Sequence, residues 1–355
     1  MTEKAFHTWC QARGIQANYR EDVIEKDRSQ AEFTLTLAQY LDRVLTEDRE
    51  STGQAMLVRF ECELTQMSDR FGVDPAVIVA VWGVETNYGQ MMGDIPVIDA
   101  LATLAFDGRR AALFNDQLDA FLPLLDTDID VSDIKGSWAG AFGHTQFMPT
   151  SYRDFATTFS GEGIANLWGA SPLDALASSG NYLRRHNWVT DATWGQGVLV
   201  PEGLDYTQLG RQITKSADAW RALGVVTDLD QDALSLILPM GVTGPAFLVG
   251  ANFACVETYN RSETYVFAVC LLADAIAERA DQPQWPTDHR ALLRGDRIAL
   301  QEGLTRQGFD TFGADGIFGP NTYAALRAYQ AAQGLVPDGY PSFEVLNRLT
   351  DQPSP

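Results

Sequence analysis

The run Val73-Asp74-Pro75-Ala76-Val77-Ile78-Val79-Ala80-Val81-Trp82-Gly83-Val84-Glu85 constrains this chain more than any other stretch. Asp74 followed by Pro75 has the form of a helix N-cap with proline at the first helical position. The residues that follow are apolar nearly all round, so the helix they predict is a buried one rather than a surface amphipath. Once that helix has begun, Glu85 is its only charge, and no Lys or Arg occurs from Gly72 through Gly108. A carboxyl with no local cation and an apolar turn of neighbours (Val81, Trp82, Tyr88, Gly89) is expected to have its pKa raised by desolvation. An acid held protonated near neutral pH suits general-acid chemistry, such as protonation of a glycosidic oxygen. The competing interpretation is a buried structural Glu satisfied by backbone groups or a distant Arg.

Two further segments bear on that choice. Glu85-Thr86-Asn87-Tyr88-Gly89, then Gly143-His144-Thr145-Gln146, then Thr258-Tyr259-Asn260 occur in that order. Together they resemble the three signature motifs of lytic murein transglycosylases. The resemblance sharpens to the lytic transglycosylase B family over residues 73–93, 98–110, 136–152 and 159–168, and continues through 180–188 and 245–262. Any one motif alone is weak; three in order over most of the chain are specific.

The resemblance implies a fold and a reaction. The expected fold is mainly α: a lysozyme-like α+β catalytic domain with a small β-containing insertion, plus a small three-helix C-terminal domain. Hydrolysing glycosidases use two carboxyls, spaced about 5 to 5.5 Å when they retain configuration and about 6.5 to 9.5 Å when they invert it. A lytic transglycosylase uses one Glu twice, as acid toward the oxygen between MurNAc and GlcNAc and then as base toward the MurNAc 6-hydroxyl. The expected catalytic residue is therefore Glu85, and the product is a 1,6-anhydro end formed without water. By motif position, Gln146 faces the sugar, Tyr259 and Asn260 bind N-acetyl or hydroxyl groups, and Ser137 bonds near the acid. Tyr88 supplies an apolar platform or positions Glu85. Arg109 and Arg110 match a pair that contacts substrate, where a cation suits a lactyl carboxylate. Against these stand simpler roles, as turn caps for the small polar residues and as a surface salt bridge for the arginines.

Two rival functions follow from the same residues. A hydrolytic muramidase needs a base or nucleophile opposite Glu85, and Asp94, Asp99 and Asp107 are the nearest candidates. A non-catalytic wall-binding scaffold has no need of Glu85, Gln146 or Tyr259-Asn260. The segment 158–169 is similar to an EF-hand-like loop found in some family members. An EF-hand places acids at loop positions 1, 3, 5 and 12; here Thr158 and Gly169 occupy the first and last, and only Glu162 is charged. A structural loop without a tight calcium site is expected, and neither cofactor nor metal is called for.

Composition sets the remaining bounds. A chain of 355 residues is long enough for two domains, and its 45% hydrophobic content supplies a core. A net charge of −21 repels nucleic acid and anionic lipid, leaving peptidoglycan strands, and other cell-wall enzymes, as the partners the resemblance implies. No stretch approaches the roughly 18 to 20 apolar residues of a membrane span. Met-Thr-Glu-Lys-Ala-Phe-His lacks the apolar segment of a signal peptide, although the resemblance implies a periplasmic enzyme. Cys10, Cys62, Cys255 and Cys270 show no zinc or dithiol spacing, and the last two sit in apolar runs suited to core packing.

The texture predicts helices through the first seventy residues, one of them entering at residues 31–33 and running to Val44. Helical pattern with Gly-rich breaks continues from Pro75 to Arg185, including an amphipathic helix over 172–187. Short strands are predicted at 195–201 and 234–239, and helices at 245–254 and 264–280. The expected boundaries are a catalytic domain over 1–281, a linker over 282–290 and a C-terminal domain over 291–350. That last segment, with Asp315-Gly316-Ile317-Phe318-Gly319, Tyr329-Gln330 and Asp338-Gly339, resembles a peptidoglycan-binding domain. Its helices are expected over 294–307 and 321–333, followed by one capped by Ser342.

Overall fold

The structure, a computed structural model, describes residues 2–29, 35–127, 129, 131–280 and 282–350, without the side chains of 126 and 132. The start of the helix expected at residues 31–33 lies outside the described residues; the helix is seen at Leu37–Val44. The chain divides into two compact units. One is Met1–Gln30, Leu45–Asp191 and Ala268–Ala280; the other is Ala31–Val44, Ala192–Phe267 and Asp281–Pro355.

Helix Pro75–Thr86 organises the first unit. The Asp74 carboxylate accepts the Ala76 N–H (2.9 Å), Pro75 takes the first position, and the other Asp74 oxygen meets Arg279 at 2.5 Å. Ala76 through Gly83 are buried, as an all-round apolar surface requires. Asn87, Tyr88 and Gly89 then take left-handed φ values of +48°, +58° and +84°, which stop the helix directly after Thr86. A second apolar helix, Val97–Asp107, is buried from Val97 to Ala105 and joins Phe6, Val23, Phe114, Phe121 and Phe142 in one core. Helix Leu173–Arg185 matches the amphipathic stripe expected there, with Leu176, Ala177, Tyr182 and Leu183 buried and Leu173 half-buried. The Gly-rich breaks hide a feature the pattern does not predict. Ile95–Pro96 pairs antiparallel with Lys135–Gly136 in a two-stranded ribbon too short to show any periodicity.

In the second unit, strands Gly195–Val198 and Ser235–Ile237 form where expected. Both pair antiparallel with Ala246–Val249, the central strand of the sheet. This corrects the helix predicted over 245–254. A central strand buried on both faces is a continuous apolar run, and Ala246-Phe247-Leu248-Val249 has no alternation to separate it from a buried helix. The helix begins after Gly250, at Ala251–Tyr259. Trp220 closes this small core and donates its indole N–H to the Leu234 carbonyl at 2.9 Å.

The C-terminal residues fold as expected into three helices, Arg294–Arg306, Pro320–Ala332 and Phe343–Thr350, around Leu300, Leu304, Leu326, Tyr329 and Leu349. Gly308 (φ +87°) and Gly334 (φ +69°) follow the first two, and the Ser342 hydroxyl accepts the Val345 N–H of the third at 3.2 Å. Trp285, in the segment expected as a linker, stacks on Phe247 with ring centroids 5.8 Å apart. Cys10, Cys255 and Cys270 are buried, and Cys62 is exposed.

Candidate active site

Glu85 lies in the last turn of helix Pro75–Thr86 and is half-buried. Its flanking residues are clamped from one side. The fully buried Thr86 donates its hydroxyl to the His144 carbonyl (2.6 Å) and accepts the Gly89 N–H (3.0 Å). Trp82 donates its indole N–H to His144 Nδ1 at 3.2 Å, and His144 Nε2 faces the Gly169 carbonyl at 2.9 Å. One ring nitrogen accepts and the other donates, so His144 is the neutral imidazole with its proton on Nε2. Burial pushes its pKa down, which keeps that state.

The Gly-x-x-Gln segment and the loops before it are shaped by close backbone approach, and a Cβ at Gly143 would overlap the Leu167 carbonyl oxygen. A Cβ at Gly93 would overlap the Gly136 carbonyl oxygen, and one at Gly136 would overlap that of Ala141. Gln146 holds a left-handed φ of +50° and donates its amide to the Met92 and Gly143 carbonyls, both at 3.0 Å. Two carbonyl acceptors fix the amide nitrogen inward. Oε1 is left with no protein hydrogen bond among the described residues, available to a ligand donor. Ser137 is engaged locally: its hydroxyl accepts the Ala141 N–H at 3.1 Å, the role of a turn cap.

Three of the expected residues are placed differently from a sugar-binding role. Tyr88 is only 7% exposed; its ring stands edge-on to Trp82 and its hydroxyl donates to the Arg49 carbonyl at 2.7 Å. A ring so covered leaves little face on which a saccharide could stack. Arg109 donates to Asp27 Oδ2 and to the Asp27 carbonyl, each at 2.6 Å, and Arg110 donates to Asp27 Oδ1. Asp27 is 2% exposed, so both guanidiniums serve a buried carboxylate, which is the salt-bridge alternative. Asp27 lies 82 positions upstream of Arg109, beyond any local sequence signal.

Tyr259 and Asn260 belong to the second unit, whereas Glu85, Ser137 and Gln146 belong to the first. Tyr259 is half-buried and nearly parallel to Tyr265, with centroids 6.3 Å apart. Asn260 is exposed at the helix C-cap and its side chain accepts the Ser262 N–H at 3.0 Å.

The loop over 158–169 is held by a residue outside it. The Asp174 carboxylate takes the Phe159 N–H (2.8 Å) on one oxygen and the Asn166 N–H (2.9 Å) on the other. Asn166 caps the turn by accepting the Trp168 and Gly169 N–H groups. Glu162 is exposed. Among the described residues, no group of three or more His, Cys, Asp or Glu side chains is placed to hold a metal ion.

Of the carboxylates that a hydrolase would need, two are committed. Asp99 is 4% exposed and accepts both the backbone and side-chain N–H of Asn18 (2.8 and 3.2 Å). Asp107 is paired with Arg28 at 2.7 Å, and Asp94 is exposed. The clamping roles of His144 and Trp82, and the anchoring role of Asp174, have no counterpart in the sequence reading. The one available signal is an imidazole inside Gly-x-x-Gln, a position whose residue type the motif leaves open.

Comparison with known proteins settles the family. The transglycosylase SLT domain family matches residues 6–274, and the putative peptidoglycan binding domain family matches residues 294–349. The chain belongs to the SLT-domain transglycosylases. The membrane-bound lytic murein transglycosylase B of Escherichia coli K12 is 37% identical over 246 residues, or 67% of this chain and 66% of that protein. The matched stretch thus spans just under two thirds of that relative. SltB3 from Pseudomonas aeruginosa, in complex with NAG-anhNAM-pentapeptide, superposes with a TM-score of 0.91 at 40% identity, covering 98% of both chains. The Escherichia coli lytic transglycosylase Slt35, in complex with calcium, gives 0.63 at 33% identity over 77% of this chain and 88% of its own. This transglycosylase thus has the mainly helical, lysozyme-like fold expected from the sequence, with small sheets and a helical C-terminal domain. Among the described residues, no helix is long and apolar enough to cross a membrane.

Proposed function

We propose that this transglycosylase cleaves the β-1,4 bond between MurNAc and GlcNAc in peptidoglycan without water, with Glu85 as its acid and base. Glu85 protonates the bridging oxygen as the C1–O bond breaks. As carboxylate it then removes the proton of the MurNAc 6-hydroxyl, whose oxygen attacks C1 and closes the 1,6-anhydro ring. The proton given in the first step is regained in the second, so the cycle needs no second carboxyl. The N-acetyl group of the substrate, oriented by Gln146 Oε1, stabilises the cationic carbon. Tyr259 and Asn260 bind substrate polar groups, and Ser137 shapes the turn beside the acid.

The observation that carries this reading is that two of the three carboxylates weighed as a hydrolase's second group have other partners. Of the three that hydrolysis would recruit, Asp99 is bound to Asn18, Asp107 to Arg28 and Asp94 is exposed, while helix Pro75–Thr86 holds no charge besides Glu85. The same proposal assigns residues 1–281 to catalysis, 282–290 to a linker and 291–350 to holding peptidoglycan, in the periplasm. General acid–base catalysis of this kind is worth on the order of a hundredfold to ten-thousandfold, so Glu85→Gln abolishes turnover while the fold persists. Digestion of purified sacculi tests the reaction: mass spectrometry of the muropeptides should find ends one water lighter than reducing ends. Reducing ends as the main product would establish a hydrolase instead.

A further inference from the structure

The loop joining the first two C-terminal helices covers buried polar side chains and points apolar ones outward. Gln301 (2% exposed), Thr311 (5%) and Thr322 (2%) lie inside, whereas Phe312 (77%) and Ile317 (72%) point out. Phe312 is the only exposed phenylalanine among the described residues. Its φ is +58°, a left-handed value that a bulky side chain seldom adopts, and Gly313 follows at +134°. So exposed a ring gains little packing to offset that conformation.

The loop nevertheless holds it by hydrogen bonds. Asp310 accepts the Phe312 N–H at 2.8 Å, and the Thr311 hydroxyl donates to the Gly313 carbonyl at 2.8 Å. The Ile317 side repeats the device, with Asp315 accepting the Ile317 N–H at 2.8 Å. Gln301 bridges the Gly316 N–H (2.8 Å) and the Ile317 carbonyl (3.1 Å) from within. Backbone strain that the surroundings over-determine clusters at functional sites. A side chain fixed in advance by such bonds binds with a smaller ordering cost.

We propose that Phe312 is the platform on which the C-terminal domain seats a pyranose ring of the glycan strand. The proposal rests on the reading that this domain holds peptidoglycan, and it names the surface. A pyranose presents a C–H face to an aromatic ring and hydroxyls around its edge. Asp310 and Asp315 are exposed on the same loop, where carboxylate oxygens can accept sugar hydroxyls. No Lys or Arg occurs from residue 307 to 326, and the Arg294 guanidinium that reaches the loop donates to the Asp315 carbonyl at 3.4 Å. The charges carried by the loop itself are thus carboxylates, acceptors for the hydroxyls at a sugar's edge.

The test uses the full chain carrying Glu85→Gln, so that strands are bound and not cut, with peptide-free glycan strands as probe. Phe312→Gly removes the ring and relieves the left-handed strain together. It should weaken strand binding about tenfold, as loss of a recognition anchor does, without lowering the urea midpoint. Phe312→Trp should keep the affinity. Binding by Phe312→Gly within about twofold of its parent overturns the platform. Hydrogen exchange of the parent with and without strands separates this failure from that of the domain reading. Protection over 309–319 is expected. Protection elsewhere within 294–349 leaves the domain reading in place and overturns the platform, whereas protection only outside 294–349 overturns both.

Discussion

Replacing Gly89 by alanine drives a methyl group into the clamp around the Glu85 turn. The added Cβ would lie 2.5 Å from His144 Nδ1 and 2.6 Å from Cε1, while Trp82 Nε1 stands at an ordinary 3.6 Å. Two costs are separable. The left-handed φ of +84° disfavours any non-glycine residue by about 1 kcal/mol. Displacing the imidazole breaks the Trp82–His144 hydrogen bond and strands a buried indole N–H, about 1 to 3 kcal/mol more. Gly89→Ala should therefore destabilise the protein by about 2 to 4 kcal/mol, the sum of those terms. His144→Ala removes the atoms that the new methyl would strike. In that background Gly89→Ala should cost only the backbone term, about 1 kcal/mol, so the two changes are non-additive by about 1 to 3 kcal/mol. Urea unfolding followed by tryptophan fluorescence on the four proteins of the cycle gives this number. A cost for Gly89→Ala that is the same with and without the imidazole would show that His144 does not clamp the turn.

Two other outcomes follow from the same structure. Arg110→Gln leaves the buried Asp27 with Arg109 alone and should cost about 1 to 2 kcal/mol, moderated by the partial exposure of the guanidinium, with KM unchanged; a large rise in KM at unchanged stability would return the arginine to substrate binding. pH should act at both ends of the scale. Burial lowers the His144 pKa, so the unfolded chain takes up the proton first, and this contribution to stability is present above about pH 6.5 and lost as the pH falls below it. Burial pushes Tyr152 up to about 12, with Asp174 adding repulsion, so its contribution is present below about pH 10 and lost as the pH rises toward 12. Urea midpoints measured across pH check both, and His144→Gln should flatten the acid limb.

The elements legible from sequence are those whose signal is local. Asp74-Pro75 with the apolar run after it defines the helix of Glu85, because its cap and its burial are both properties of adjacent residues. The C-terminal helices are legible for the same reason, through Gly308, Gly334 and Ser342. Strand Ala246–Val249 reads as helix because burial on two faces erases the alternation that identifies a strand. The ribbon Ile95–Pro96 with Lys135–Gly136 depends on partners distant in sequence, and neither half carries a pattern of its own.

Site residues divide along the same line, and the division bears on mechanism. A motif fixes residue types at a spacing, but a side chain's work depends on which groups the fold brings to it. Gln146 offers an oxygen because two backbone carbonyls engage its nitrogen, and Asp27 takes both guanidiniums of Arg109 and Arg110. Asp99 and Asp107 are occupied by Asn18 and Arg28, partners that no motif contains. Those contacts occupy lone pairs that a base would have to present to water. What separates a lyase from a hydrolase here is thus largely where the other carboxylates direct their lone pairs. On the proposed mechanism local sequence supplies the acid, and contacts distant in sequence occupy two of the three carboxylates that could have activated water.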